Sequence, residues 1–261
     1  MVSTAHPLAT EAGLRMLEMG GNAADAAVAA GFAVAIVEPT MNSIGGRNQI
    51  LLRTGDGEVH GIDGTTQAPW DYDPATAERA SYGYAVIGIP GAAAGLLKLH
   101  AEHGSLPLAT IMAPAIDYAE NGFRLLPADA ARQASAADEA LQFPGTAAAY
   151  YTEDGTPRRA GDILVQPDYA ETLRKIVAGG HDAFYRGEIA RTMAADLQAN
   201  GAPIDLDDLA QYEAEESRIV LGSYRGYELL GTDLPAAGAL VIQALQIMEN
   251  FDPGSLTEPE W

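Results

Sequence analysis

Gly20-Gly21-Asn22-Ala23-Ala24-Asp25-Ala26-Ala27-Val28-Ala29 is the stretch whose reading decides the architecture. Upstream of it, Leu14 and Leu17 share a helical face within Leu8–Met19, and the glycine pair ends that helix. Asn22 then offers a side-chain oxygen to the free N–H groups that open a second helix. Two helices therefore meet across a tight joint. The second is so rich in alanine that other elements can approach it on several sides, and Pro39 stops it. Its apolar run from Ala23 to Val37 carries Asp25 and is shorter than the roughly 20 residues a membrane-spanning helix needs, which predicts a buried, central helix.

Working outward, Gln49–Arg53 and Val59–Asp63 flank Thr54-Gly55-Asp56-Gly57-Glu58, a pattern that predicts two strands and a glycine-containing hairpin loop. From Pro90 to Gly201 the pattern is helical, with candidates at Gly91–His103, Pro107–Glu120, Ala128–Glu139, Tyr169–Ala178 and Gly187–Asn200. Phe143–Asp162 has little periodicity and reads as a surface excursion. After Asp205–Tyr212, β-like stretches at Arg218–Leu221 and Tyr227–Leu230 precede an apolar helix from Ala236 to Met248. The Ala-rich tracts have helical spacing, and no internal repeat is visible.

The 261 residues are 48% hydrophobic, enough to fill a sizeable core. Thirty-six acidic residues against 15 basic ones give a net charge of -21, a field that repels nucleic-acid phosphates and anionic membranes. Without cysteine there is no disulfide, thiolate nucleophile or Cys-based zinc site. No charged leader precedes His6 and Pro7, so the chain reads as cytoplasmic, or as periplasmic or secreted if a leader has been removed.

Local motifs each admit two readings. Ser43-Ile44-Gly45-Gly46-Arg47-Asn48 is either a tight turn or a place where backbone N–H groups and Arg47 approach a ligand. Asp63-Gly64-Thr65-Thr66-Gln67-Ala68-Pro69 is a strand-end turn, or a set of hydroxyl and amide groups that orient a polar substrate. Ile89-Pro90-Gly91-Ala92-Ala93-Ala94-Gly95 opens a helix whose free N–H groups suit an anion, or whose glycines permit close packing. Among the five histidines there is no H-E-x-x-H arrangement; His100 and His103 share a helical face and read as a solvated pair. No Gly-x-Ser-x-Gly elbow occurs, and local chemistry alone identifies no enzyme.

The order of segments says more. His6-Pro7-Leu8-Ala9, Ala12-Gly13-Leu14, the stretch Gly20 to Ala29, and Val37-Glu38-Pro39 resemble, in order and spacing, the opening of the gamma-glutamyltransferase family. The resemblance continues through Gly45-Gly46, Ile62-Asp63, Ala68-Pro69, Ile89-Pro90-Gly91, Pro114-Ala115-Ile116, Ala119 to Phe123, Phe184 to Ala190 and Asp208 to Tyr212. It implies an α+β fold, the four-layer αββα sandwich of the Ntn hydrolases, with residues 1–261 as a single large-subunit domain that is incomplete without a downstream small subunit of the same precursor. It further implies a zymogen that cuts itself, freeing a threonine whose own α-amine is the natural base for its hydroxyl. That threonine is expected beyond Trp261, so no catalytic residue is assigned here and the isolated chain is expected to be inactive. The implied activity is hydrolysis or transfer of the acyl group of a small amide, with gamma-glutamyl compounds such as glutathione as the family's substrates and no metal or organic cofactor.

The implied substrate-binding residues are Arg47, Asn48, Thr65 and Thr66. The family's usual Asp-Tyr-Arg-Glu-x-Ala-Pro pattern carries an Arg that pairs with the substrate's α-carboxylate; here Thr65 stands at that position. Loss of such a charge-assisted contact removes roughly 2–5 kcal/mol of recognition unless another group replaces it. Arg47 could supply the charge from another direction, or the chain belongs to a branch acting on other amides, as acylase-like and oxamate-amidohydrolase-like members do. A non-catalytic binding protein that keeps the scaffold and this pocket is the alternative.

Overall fold

Asn22 begins the second helix as its position predicts. Its side-chain oxygen accepts the Asp25 N–H at 3.0 Å, and the Asp25 carboxylate accepts the Asn22 N–H at 2.9 Å, closing a reciprocal capping box. This is a computed structural model that describes residues 1–75, 80–252 and 254. The two helices meeting at the glycine joint are α1 (Pro7–Glu18) and α2 (Ala23–Val37). They are followed by β1 (Asn48–Arg53), β2 (Val59–Gly64), α3 (Ala92–His103) and α4 (Leu108–Asn121).

Asp25 is fully buried, yet its carboxylate is saturated. Besides Asn22 it accepts the Ser105 N–H at 2.9 Å, the Ser105 hydroxyl at 2.5 Å and the Leu106 N–H at 3.2 Å. One charged group thereby ties the start of α2 to the α3–α4 connection. Burial pushes this carboxyl upward, but the bonds from Ser105, Asn22 and Leu106 together outweigh it and hold the group below the ordinary carboxylate range.

The alanine-rich α2 packs against α1, α3 and α4, as a central helix with small side chains can. Phe32 and Ile36 of α2 share one core with Met16, Leu99, Ile111, Met112, Leu173 and Ile176, all almost wholly buried. Each such side chain contributes about 1.5–3 kcal/mol by leaving water. The main core runs from Ala9 to Tyr212 along the chain. No helix among the described residues is long and apolar enough to cross a membrane.

After α4 come β3 (Phe123–Arg124), α5 (Pro127–Ser135), α6 (Ala137–Ala140), α7 (Pro144–Tyr150) and β4 (Ile163–Leu164), with β3 and β4 paired antiparallel. Here the structure differs from the expectation. The helix predicted over Ala128–Glu139 is broken, because the Ser135 hydroxyl donates to the Arg132 carbonyl at 2.9 Å and Ala136 leaves helical geometry. The Phe143–Asp162 excursion is not all surface: it contains α7, and Tyr151 is buried with its hydroxyl donating to the Gln133 carbonyl at 2.8 Å. Next, α8 (Pro167–Tyr185) outruns the predicted Tyr169–Ala178; the chain bends at Gly180, where φ is 58°, and the helix resumes.

The remaining elements are α9 (Glu188–Ala199), α10 (Leu206–Gln211), β5 (Glu215–Glu216), β6 (Ile219–Tyr224), β7 (Tyr227–Thr232) and α11 (Gly238–Met248). β1 and β2 pair antiparallel from Asn48↔Gly64 to Arg53↔Val59, and β5 joins the other edge of β2. β6 and β7 form a hairpin closed by Arg225 and Gly226, both at positive φ. One face of that hairpin, at Gly222 and Gly231, receives α11, while Ile219 on the other face lies against Gly61 of β2. The layers thus run helices, sheet, hairpin, helix, the order expected of an αββα sandwich. The outer layer is bare: Leu240, Val241 and Ile247 of α11 are each more than half exposed, as is Leu221 on the opposite face of the hairpin, and Ile242 is the buried residue of α11.

Candidate functional site

The hairpin register brings the implied site residues together. Asn48 and Gly64 are cross-strand partners, so Arg47, one residue before β1, and Thr65, one residue after β2, flank the same end of the strand pair. The loop carrying Arg47 is held at several points. Arg132 bonds Glu38 at 3.0 Å, Asp129 at 2.6 Å and Thr40 at 3.1 Å where the loop begins, and the Ile44 N–H donates to the Tyr169 hydroxyl at 3.0 Å. Gly46 N–H turns back on the Ser43 carbonyl at 3.2 Å, so Ser43 to Gly46 is a tight turn.

The opening of α3 is not available to an anion through Gly91 and Ala92. Their N–H groups both donate to the Gly46 carbonyl at 2.9 Å, so the free amides at the helix start are used to dock the turn. Arg47 itself is exposed, and among the described residues it has no hydrogen-bonding or ion-pair partner.

Asn48 points the other way. Its Nδ2 donates to the Ala92 carbonyl at 2.8 Å, and its Oδ1 is buried without a partner against Gly64 and Gly95. The side chain braces β1 against α3, and the contact requires glycine at 95 because a Cβ there would collide with the carboxamide. The structure therefore separates Asn48 from the other three residues: it is packing beneath the site, turned inward by strand alternation.

Thr65 is half-buried among two donors and one acceptor. Its N–H donates to Asp63 Oδ1 at 2.8 Å, its hydroxyl oxygen accepts from Gln49 Nε2 at 2.8 Å, and its carbonyl accepts from the Tyr212 hydroxyl at 2.7 Å. Gln49 Nε2 also bonds Asp63 Oδ1, which fixes the amide orientation because an ionised carboxylate only accepts. The opposite amide oxygen, Gln49 Oε1, is buried without a partner. Burial, with the Asp63 and Glu215 carboxylates nearby, pushes the Tyr212 phenol above its ordinary value. Thr66 follows, half-buried, with its side chain against Gly88. This end of the hairpin thus offers hydroxyls, an amide and one carboxylate, with Arg47 as its adjacent cation.

Arg47 is exposed, whereas Thr65 and Thr66 are half-buried. A cleft of about 540 Å³ lies between the Met1–Thr4 segment and α2, and another of about 340 Å³ lies between Leu97, Lys98, His181 and Glu213. Neither includes Arg47, Thr65 or Thr66. The histidines do not form the solvated pair the sequence suggested: His100 Nε2 lies 2.9 Å from the Leu106 carbonyl, whereas the His103 ring stands 4.6 Å from that of His60. Among the described residues no group of three or more His, Asp or Glu is placed to hold a metal ion.

Sequence reasoning missed Gln49 and Tyr212. Gln49 carries no motif, and Tyr212 reaches Thr65 across 147 positions of chain.

The geometry can now be set beside known proteins. The family model described as gamma-glutamyltranspeptidase matches residues 9–260. The acylase ACY 1 proenzyme of Pseudomonas sp. (strain SE83) is 39% identical over 98% of this chain and 49% of its own length. The glutathione hydrolase proenzyme of Escherichia coli (strain K12) is 34% identical over 97% of this chain and 45% of its own. The chain therefore spans about half the length of these curated relatives. The crystal structure of Helicobacter pylori gamma-glutamyltranspeptidase superposes with a TM-score of 0.95 at 33% identity, over 99% of this chain and 77% of that one. Matching sequence from end to end and a shared α+β architecture lead to one conclusion: the chain belongs to the gamma-glutamyltranspeptidase family.

Proposed function

We propose that the complete protein is a self-processing amide-cleaving enzyme that hydrolyses or transfers the acyl group of a small amide, and that this chain is its large-subunit portion. The observation that carries this reading is the superposition on a gamma-glutamyltranspeptidase over 99% of the chain. In the proposed reaction a threonine hydroxyl in the other half of the protein attacks the amide carbonyl. The amine departs with the proton that the threonine α-amine has taken up, and water or a second amine then opens the threonine ester. Residues 1–261 form a single domain that supplies Arg47, Thr65 and Thr66 to the acyl group, braced from below by Asn48.

The state of Thr65 favours an acyl group other than gamma-glutamyl. Around Thr65 the groups within hydrogen-bonding distance are Gln49, Asp63 and Tyr212, none of them a cation. A substrate carboxylate placed there loses hydration and gains little. Arg47 is the group left to hold an anion.

The proposed partner of the chain is the remaining segment of the same precursor. Two features support this: β1 is bonded to β2 on one edge alone among the described strands, and the outer face of α11 is apolar and exposed. The test is reconstitution. Residues 1–261 alone should not cleave gamma-glutamyl anilide or simple acyl anilides, and adding the separately produced downstream segment, or expressing the complete gene, should produce turnover. Turnover by the isolated chain, abolished by a mutation within it, would overturn the assignment.

A further inference from the structure

Two tyrosines far apart in the chain converge beneath the candidate site. Tyr185, at the end of α8, and Tyr212, just after α10, are both buried, and their rings stack 5.4 Å apart at 16°. His181 stacks on the far side of Tyr185 at 4.4 Å and 21°, and Phe184 meets it edge-on at 4.8 Å. Rings held this way have little rotational freedom, so their hydroxyls are fixed points.

Both hydroxyls end on the backbone of segments that form the site. Tyr212 donates to the Thr65 carbonyl at 2.7 Å. Tyr185 donates to the Pro90 carbonyl at 2.8 Å and accepts the Ala94 N–H at 3.2 Å, which sets the start of α3. That helix start in turn holds the Gly46 carbonyl, one residue from Arg47. Gly91 lies between the two arms, and a Cβ there would strike the Gly64 carbonyl and the Tyr212 hydroxyl. The stack is therefore bonded to Thr65 on one side and, through Pro90–Ala94 and Gly46, to the Arg47 turn on the other.

We propose that Tyr212, held flat against Tyr185, is a positioning residue that fixes the Thr65 backbone and, through the pair, sets the spacing between Thr65–Thr66 and Arg47. The proposal rests on the reading of those three residues as the acyl-binding groups. It separates ring from hydroxyl: phenylalanine at 212 keeps the stack and the packing but leaves the Thr65 carbonyl without its donor.

The test uses the complete, self-processed protein and the variants Tyr212→Phe and Tyr212→Leu. Amide hydrogen exchange over residues 61–69 reads the positioning, and KM and kcat for gamma-glutamyl anilide and butyryl anilide read its consequence. In Tyr212→Phe, exchange at Thr65 to Gln67 should rise about tenfold while α8 and α10 stay unchanged. KM for whichever anilide is turned over should rise about threefold to tenfold with kcat within about twofold of the parent. Tyr212→Leu, which also loses the ring stack, should lower the thermal midpoint further than Tyr212→Phe does. Unchanged exchange in Tyr212→Phe overturns the proposal, and so does faster exchange with an unchanged KM. A parent protein that cleaves neither anilide condemns the amidase reading instead, while the exchange measurement still decides whether Tyr212 holds Thr65.

Discussion

Replacing Asp25 with alanine isolates the contribution of one buried carboxylate to the helical half of the fold. The substitution removes the acceptor for Asn22 N–H, Ser105 N–H, Ser105 Oγ–H and Leu106 N–H at once. A hydrogen bond to a charged group contributes about 1.5–3 kcal/mol, but such bonds within one network do not add. Asn22 and Ser105 are exposed, so water can take over part of their bonding; Leu106 is half-buried. The net loss is then about 2–4 kcal/mol, well below the naive sum of about 6–12 kcal/mol for four such bonds. At about 2–4 °C per kcal/mol for a chain of this size, the thermal midpoint should fall by about 4–16 °C. Asp25→Asn keeps one acceptor oxygen but turns an NH2 donor toward two other donors, so it should recover little of the loss. The pH dependence has a definite sign. A carboxyl held below its unfolded value stabilises the fold above about pH 4, and that contribution disappears as pH falls through the folded value. The gap between parent and Asp25→Ala should therefore be constant from about pH 7 to 5 and narrow progressively as pH falls below about 4 and through the folded value. The assay is differential scanning calorimetry at a fixed scan rate, across pH, on the complete protein. A midpoint within about 2 °C of the parent at pH 7, or a gap that widens as pH falls below about 4, would refute the reasoning.

Thr65→Arg in the complete, processed protein should lower KM for gamma-glutamyl anilide by about tenfold or more, because it restores a charge-assisted contact, and Arg47→Ala should raise KM for any anionic donor. Efficient gamma-glutamyl turnover by the parent, indifferent to Arg47→Ala, would show that another residue holds the carboxylate. Gly95→Ala drives a methyl group into the Asn48 carboxamide and should cost about 1–3 kcal/mol, whereas Gly145→Ala, with open space around it, should be neutral or slightly stabilising; denaturant melts compare the two. Leu240→Gln combined with Ile247→Gln should reduce self-association of the isolated chain in light scattering, and should lower the yield of processed, assembled protein from the complete gene.

How legible the fold was depended on the range of the interaction that decides each element. The α1–α2 joint is written in adjacent residues, Gly20 to Asp25, and α2 and the β1–β2 hairpin form where periodicity and turn residues place them. The break between α5 and α6 depends on one hydroxyl, that of Ser135, choosing a backbone carbonyl over solvent, and composition does not record that choice. Gly179-Gly180 reads as the end of a helix, and Gly180 does leave helical geometry, but the chain continues to Tyr185 because Phe184 and Tyr185 are buried in the core. Of the candidate site, the adjacency of Arg47 and Thr65 was legible because the hairpin pairing that aligns them is local. The inward turn of Asn48 depends on Ala92 and Gly95, more than 40 positions away, and the role of Tyr212 depends on a ring stack that no spacing encodes.

The bare outer face of α11 also has a consequence in time. Proteins emerge from the ribosome N-terminus first, and domains fold as they become available. Every residue of the main core has been synthesised by Tyr212, so the helical body can close while β6, β7 and α11 are still being made. These three then emerge with Leu221, Leu240, Val241 and Ile247 facing water. If the proposed downstream segment is their cover, the hairpin and its helix wait for it uncovered, an interval in which the nascent chain is exposed to chaperones, proteases and its own neighbours on the polysome.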